Sequence, residues 1–579
     1  MTLTDPAQNH GFSFYRNVQR PILTRFYNVA RAAKIYLINT PQGLALLERL
    51  GLVSTDDKYR RFLAMHPITE TELLTMRDES SKLAKRPLIS IVVPTYNPKI
   101  SWLKELVHSI RGQCYPTWEL CIADDASPDP QVVPMLRAFE AEDSRIRVVY
   151  RKQNGHISEA TNSALQIAHG EFIAFIDHDD LICASALFKV ARFLNQHPDT
   201  DLLYSNEDKL DAQGRRCEPT FKPEWSPDYF HSFMYLGHLA VYRRSLVERA
   251  GGFRMGVEGS QDYDLALRAE ALGAKIRHLP KILYHWRKHP NSVAANPASK
   301  PYAFAAALKV HEDALRARGE ISPRVETTPL RGIYRPRYSV PPGTKVLLCP
   351  WQLTTTTDPP APLESAYPDL ERAPLTATFT SGLLLIKQFL LSSTATYVLL
   401  VEESLKPITP SWVEDLLEQA VGSNAAAVGP KILSLEKRVL HAGYSILPPR
   451  LVSNFYGASA TEPGYAARLV TTNNVSALST CCLLAKREVL IHALEGEYTT
   501  LPAWETALSL ALGRHGYLTW TPHVLMQAPT GLFAAQTDLT MSPEDYAKLN
   551  QHYQLDSFCD PFYPRGLDRE RGRFALSPG

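Results

Sequence analysis

From Pro87 onward, short apolar runs rich in β-branched residues alternate with stretches of helical spacing. The runs are residues 88–93, 119–123, 146–150, 172–176 and 202–205, and helix-length segments such as 101–111 and 158–168 separate them. Continuous apolar strands divided by helices predict a mainly parallel sheet covered on both faces, an α/β architecture of the nucleotide-binding kind. In such a sheet ligands bind beyond the carboxyl ends of the strands, so the residues that follow each run are where chemistry is expected. Upstream, Ile22, Phe26, Val29, Ala30, Ala33, Tyr36 and Leu37 recur at helical spacing, and residues 1–86 are read as a helical extension. Downstream, the chain turns rich in proline and arginine between Pro323 and Pro342, which marks a domain boundary near 325–340. The order then repeats weakly, with a strand at 397–401 ending in acids, a helix from Ser411, and Gly516-Tyr517 before a last strand. Four segments follow: 1–86, 87–325, 326–540 and a tail, 541–579, without clear period.

A chain of 579 residues exceeds what one hydrophobic core sustains. Lys plus Arg number 62 against 60 for Asp plus Glu, so no whole-chain charge points to nucleic acid, and none is expected as a partner. Eight cysteines carry no CxxC pair and no metal-ligand spacing, the usage of reduced thiols in a cytoplasmic protein. No charged start leads into an apolar leader, and no run reaches ~18 uncharged apolar residues, so a cytoplasmic location is expected. Locally the picture differs. Residues 11–50 hold Arg16, Arg20, Arg25, Arg31, Lys34 and Arg49 against Glu48 alone. This basic, aromatic-rich segment either lies peripherally on an anionic membrane face or packs on the next domain with a solvated basic side.

Three runs stop at polar side chains: Pro94-Thr95-Tyr96-Asn97, Asp124-Asp125-Ala126-Ser127 and Asp177-His178-Asp179-Asp180. One acid at a strand end commonly caps the following helix. Two aspartate clusters at the ends of strands in one sheet demand more, because gathered like charges raise one another's pKa and destabilise the fold. A divalent cation would relieve that repulsion, and hard oxygen donors of this kind suit Mg²⁺ or Mn²⁺ bridging to a diphosphate. Farther on stand Gln261-Asp262-Tyr263-Asp264 and Leu283-Tyr284-His285-Trp286-Arg287. Taken singly, Asp262 reads as a helix-start acid and His285 as a structural histidine.

Together, PTYN at 94–97, ADDAS at 123–127, DHDD at 177–180, QDYDL at 261–265 and HWR at 285–287 resemble the family 2 glycosyltransferases of GT-A fold, over residues 87 to about 320. YSNEDK at 204–209, FKPEWSPD at 221–228 and YLGH at 235–238 are similar to members that build bacterial surface polysaccharide. The resemblance implies an inverting, metal-dependent transferase that moves sugar from a UDP-, dTDP- or GDP-sugar to a glycan or lipid-linked acceptor in O-antigen-like synthesis. It implies that Pro94 and Tyr96 hold the nucleotide and that Asp125, with Asp124, bonds the base. Asp177 and Asp179 then form the DxD motif, with Asp179 the direct metal ligand and Asp177 near ribose and metal waters. His285 would be a further ligand and Asp262 the general base. Where the family has Glu before this Asp, the chain has Gln261. The chemistry agrees: an acceptor hydroxyl needs a carboxylate to take its proton, and a leaving diphosphate needs a cation.

Residues 344–530 resemble a second, degraded GT-A domain. Val401-Glu402-Glu403 stands where DxD is expected, Trp504-Glu505-Thr506-Ala507 where the base is expected, and Met526-Gln527 offers no histidine. The half that would bind nucleotide is shortened. A non-catalytic domain that positions acceptor or partner is expected. The rivals are a bifunctional transferase using Glu402, Glu403 and Glu505, and a carbohydrate-binding scaffold without turnover in either domain.

Overall fold

The computed structural model describes residues 37, 47, 52–289, 301–353, 363–373, 377–378, 382–494, 498–533, 539–569 and 574–576. Apart from Leu37 and Leu47, the basic segment 11–50 lies outside the described residues. Contacts divide the chain into two compact units, one of residues 1–68, 216–218 and 576–579 and one of residues 69–215 and 219–575. In the smaller unit, helix Thr55–Met65 starts at a capping box between Ser54 and Asp57. Its Tyr59 is fully buried and accepts a hydrogen bond from Arg216 Nη2 at 3.0 Å.

The larger unit holds two sheets. The first contains β1 (Ile89–Thr95), β2 (Trp118–Asp124), β3 (Ile146–Tyr150), β4 (Phe172–Phe175), β5 (Leu181–Ile182), β6 (Leu202–Leu210), β7 (Ala240–Arg243) and β8 (Ile276–Arg287). Their order across the sheet is β3-β2-β1-β4-β7-β6-β8-β5. β1, β2 and β4 are buried along nearly all their length, as expected of strands covered on both faces. The register is parallel from β3 to β4 and again between β6 and β8. The expectation of a mainly parallel sheet needs two amendments: β5 runs antiparallel beside β8, and β7 runs antiparallel between β4 and β6. Its four residues are too short a run to separate from neighbouring helix in the sequence. The pairing of Thr95 with Asp124 and of Asp124 with Tyr150 brings the ends of β1, β2 and β3 level at one edge.

The second sheet contains β9 (Val346–Gln352), β10 (Leu370–Arg372), β11 (Tyr397–Glu402), β12 (Lys406–Pro407), β13 (Ala427–Leu433), β14 (Cys482–Lys486) and β15 (Leu518–Gln527). Its order is β10-β9-β11-β14-β13-β15-β12. Laid beside the first sheet, it repeats the path β2-β1-β4-β7-β6-β8-β5, with parallel and antiparallel neighbours at the same places. A counterpart of β3 is absent among the described residues. Helix Leu501–Gly513 precedes β15 as helix Gln261–Ala271 precedes β8.

The proline- and arginine-rich stretch at the boundary forms an antiparallel ribbon, Arg324–Thr327 with Tyr334–Arg337. The ring of Tyr334 lies 4.8 Å from His311 on the first lobe, while Arg335 and Arg337 reach Asp415 on the second at 2.9 and 3.0 Å. A buried polar knot adds to this clamp. Asp228 Oδ2 accepts from Asn474 Nδ2 at 2.6 Å and from Thr519 Oγ1 at 2.5 Å, and Ser226 Oγ donates to Asn474 Oδ1 at 2.9 Å. The tail, expected without period, contains helix Pro543–Tyr553 started by Ser542. It then touches both lobes, through Glu224 N to Pro561 O at 2.8 Å and Ile446 N to Asp560 Oδ2 at 2.6 Å. No helix among the described residues is long and apolar enough to cross a membrane.

Candidate active site

β4 stops at Phe175, and the chain turns through Asp177, His178, Asp179 and Asp180 before β5. Ligand oxygens of Asp177, Asp179 and Asp180 lie within 4.8 Å of one another, the only such group among the described residues. The three are not equivalent. Asp180 is fully buried, accepting from Tyr284 Oη at 2.5 Å and from the Arg287 backbone N–H at 2.7 Å. Burial, and then the neighbouring Asp179 and Asp177 carboxylates, push its pKa well above the usual range. Asp177 and Asp179 are half-buried and line a cavity of about 980 Å³. Two half-exposed carboxylates facing one space are an oxygen-donor set that fits a hard divalent cation.

The histidine in hydrogen-bond reach of Asp179 is His289. Its Nε2 lies 2.9 Å from Asp179 Oδ2, and its ring packs 5.3 Å from Trp102. His285, expected as the ligand, is elsewhere: it is buried in β8 with Nδ1 2.5 Å from Asp208 Oδ1 of β6, and it is not among the cavity-lining residues. Strand alternation gives the reason. Trp286 lines the cavity, so its neighbour in the strand faces the other way. Arg287 ties the turn down, donating from Nε to Asp179 O at 2.8 Å and from Nη2 to Glu105 at 2.6 Å.

Pro94, Tyr96 and Asp125 line the same cavity. Asp125 is oriented by Arg151 Nε at 2.7 Å and by the Gly155 N–H at 3.0 Å. Asp124 is not at the cavity. It is buried behind, and its Oδ1 has no hydrogen-bond partner among the described residues. The two acids that open helix Gln261–Ala271 separate just as clearly. Asp264 is buried and paired with Arg268 Nη2 at 2.6 Å and with Arg254. Asp262 is exposed, lines the cavity, and accepts from Gln261 Nε2 at 3.2 Å. The structure thus brings Pro94, Tyr96, Asp125, Asp177, Asp179 and Asp262 to one space and leaves Asp124 and His285 out of it.

Several lining residues carry no site role in the sequence reading. His238 stacks on Tyr284 at 4.5 Å, with Nε2 4.0 Å from Asp177 Oδ2. Lys222 is buried, and its ammonium donates to Glu207 and to the carbonyls of Leu236 and His238. From the second lobe, Tyr465, Ala466 and Arg468 reach the same cavity. For His289 the signal was present in Trp286-Arg287-Lys288-His289, a second histidine just past the strand. For the second-lobe loop, spacing gave none.

The second lobe's own acids are tied to their neighbours. Glu402 accepts from the Ser404 N–H at 2.8 Å and from its hydroxyl, and Glu403 accepts from Gln352 at 3.0 Å. Glu505 has no exposed surface and accepts from Ser479 Oγ, Thr480 N and Thr480 Oγ1 at 2.9, 2.8 and 3.1 Å.

Residues 90–251 match the family model described as Glycosyl transferase family 2. The uncharacterized protein y4gI of Sinorhizobium fredii is 33% identical over 541 residues, 86% of this chain and 59% of that protein. The O-antigen biosynthesis protein RfbC of Myxococcus xanthus is 30% identical over 444 residues, 71% of this chain and 34% of that protein. The chain therefore spans between about a third and three-fifths of those relatives' lengths. Among solved structures, residues 1–349 of S. aureus TarS are 23% identical over 39% of this chain and 65% of that one, with TM-score 0.33.

Proposed function

This chain belongs to glycosyl transferase family 2, and on that premise we propose that it moves a sugar from a nucleotide-sugar donor to a hydroxyl of a glycan or lipid-linked acceptor, with inversion. The observation that carries the reading is the meeting of Asp177, Asp179 and Asp262 on one cavity, a cation-fitting pair together with the exposed carboxylate that opens helix Gln261–Ala271. Pro94, Tyr96 and Asp125 hold the nucleotide, Asp125 having been pre-oriented by Arg151 and Gly155. Asp177, Asp179 and His289 would hold Mg²⁺ or Mn²⁺. Such a cation, when bound, neutralises charge on the leaving diphosphate.

Asp262 takes the proton of the acceptor hydroxyl as that oxygen bonds to the anomeric carbon and the bond from carbon to diphosphate oxygen breaks. One displacement leaves the sugar inverted. The second lobe turns nothing over, because its base-position Glu505 is sealed from solvent and its acids form no cluster among the described residues. Synthesis of bacterial surface polysaccharide is the setting suggested by the name of the Myxococcus relative, an O-antigen biosynthesis protein. A thermal-shift screen of UDP-, dTDP- and GDP-sugars with Mn²⁺ on the full chain tests this, since a ligand of the folded state raises its melting temperature. At least one donor should stabilise the protein only when metal is present; silence across the panel would overturn the reading.

A further inference from the structure

We propose that residues 464–470 of the second lobe form the acceptor-binding wall of the first lobe's active site, so that the lobe without turnover selects the acceptor. The proposal rests on the transferase reading above and deepens it.

The cavity does not end where the first lobe ends. It runs from Asp177, Asp179 and Asp262 to Tyr465, Ala466 and Arg468 without a break. At about 980 Å³ it stands at the top of the about 300–1,000 Å³ usual for a single small-molecule site, which leaves room for a second substrate beside the donor. The lining includes the aromatic side chains of Tyr229, Phe233, Tyr235 and Trp286. Flat faces interspersed with hydroxyl and guanidinium donors suit a sugar ring, which is apolar on its faces and polar at its rim. Arg468 is 3% exposed, its guanidinium 5.6 Å from the Tyr229 ring and its Nη1 donating to Phe562 O at 2.9 Å.

The loop is built for its position. Gly464, Ala466 and Ala467 have φ of 71°, 48° and 61°. A non-glycine residue in this left-handed region is strained, and strain of this kind persists where the surroundings over-determine it. Here the determinants come from the opposite lobe: Tyr229 Oη donates to Ala466 O, and the Phe221 N–H donates to Tyr465 Oη at 2.7 Å. Segment 221–229, which lines the first lobe's side of the cavity, thereby holds the second lobe's loop in register with it.

The test compares two acceptors for the same donor sugar, water and the native acceptor in the membrane and glycan fraction of the source organism. Ala466→Asn adds bulk at the wall with a residue that tolerates the left-handed region, and Arg468→Lys shortens the reach while keeping the charge. Each full-length variant is expected to lower the ratio of transfer into that fraction over donor hydrolysis at least tenfold, with donor-induced melting shifts retained. An unchanged ratio in both variants would overturn the proposal, as would a wild type that hydrolyses donor yet transfers to nothing in the fraction. Failure of the wild type to bind or hydrolyse any nucleotide sugar is a different result, and sinks the transferase reading itself.

Discussion

Within four residues the chain gives three aspartates different fates. Asp180 is closed in by Tyr284 and Arg287, while Asp177 and Asp179 keep faces on the cavity. Asp179→Ala should therefore abolish the metal dependence of donor binding, measured by titrating nucleotide sugar with and without Mn²⁺; an unaltered dependence would remove Asp179 from the ligand set. The two histidines should part in the same way. His289→Ala is expected to weaken Mn²⁺-dependent donor binding by about 10–100-fold, the range for groups that hold or orient a metal. His285→Ala should lower the melting temperature by removing a buried hydrogen bond to Asp208 while leaving the metal dependence in place. Asp262→Asn keeps shape and should retain donor affinity while transfer falls by about 10²–10⁴, the usual contribution of a general base. At this scale the sequence was informative where residue type and element end coincide, at a strand end for Asp177 and Asp179 and at a helix start for Asp262. It misplaced the histidine because motif spacing does not say where a strand stops or which face its last side chains present.

At the scale of elements, the two sheets follow one path but load it differently. Helices Gln261–Ala271 and Leu501–Gly513 occupy equivalent places, yet the first presents Asp262 to a cavity and the second turns Glu505 inward. Burial raises Glu505 to about 7 from an ordinary 4.5. The folded protein then holds this proton up to about pH 7, while the unfolded chain releases it near pH 4.5. The stability it contributes is full below pH 4.5 and lost as pH rises through about 7, a difference of about 3 kcal/mol. Glu505→Gln, neutral at every pH, should match the wild type in melting temperature at pH 5 and exceed it at pH 8, with transfer intact throughout. Equal melting temperatures at both pH values would contradict the buried, proton-holding state. The main strands were legible because long apolar runs have few alternatives. β7 and the tail helix were not, since short or half-exposed segments carry too little period to outweigh tertiary context.

For the molecule as a whole, the lobes are joined by polar chemistry as much as by apolar contact. Asp228 is surrounded by donors, Asn474 Nδ2, Thr519 Oγ1 and Gln419 Nε2. Asp228→Asn turns one acceptor into a donor facing donors, so a loss of about 1–3 kcal/mol is expected, read as a lower thermal transition of the full chain. A transition at the wild-type temperature would mean that the knot contributes nothing net. Neither this knot nor the shared cavity could be read from the sequence, because their partners are separated by 246 and 291 positions and no local pattern links them. That separation also has a meaning in time. At about 5–20 residues per second, a ribosome that has just released Asp228 needs on the order of tens of seconds to deliver Asn474 and Thr519. Throughout that interval the nascent first lobe carries an unsatisfied polar seam and half a cavity, and must be sheltered until its other half arrives.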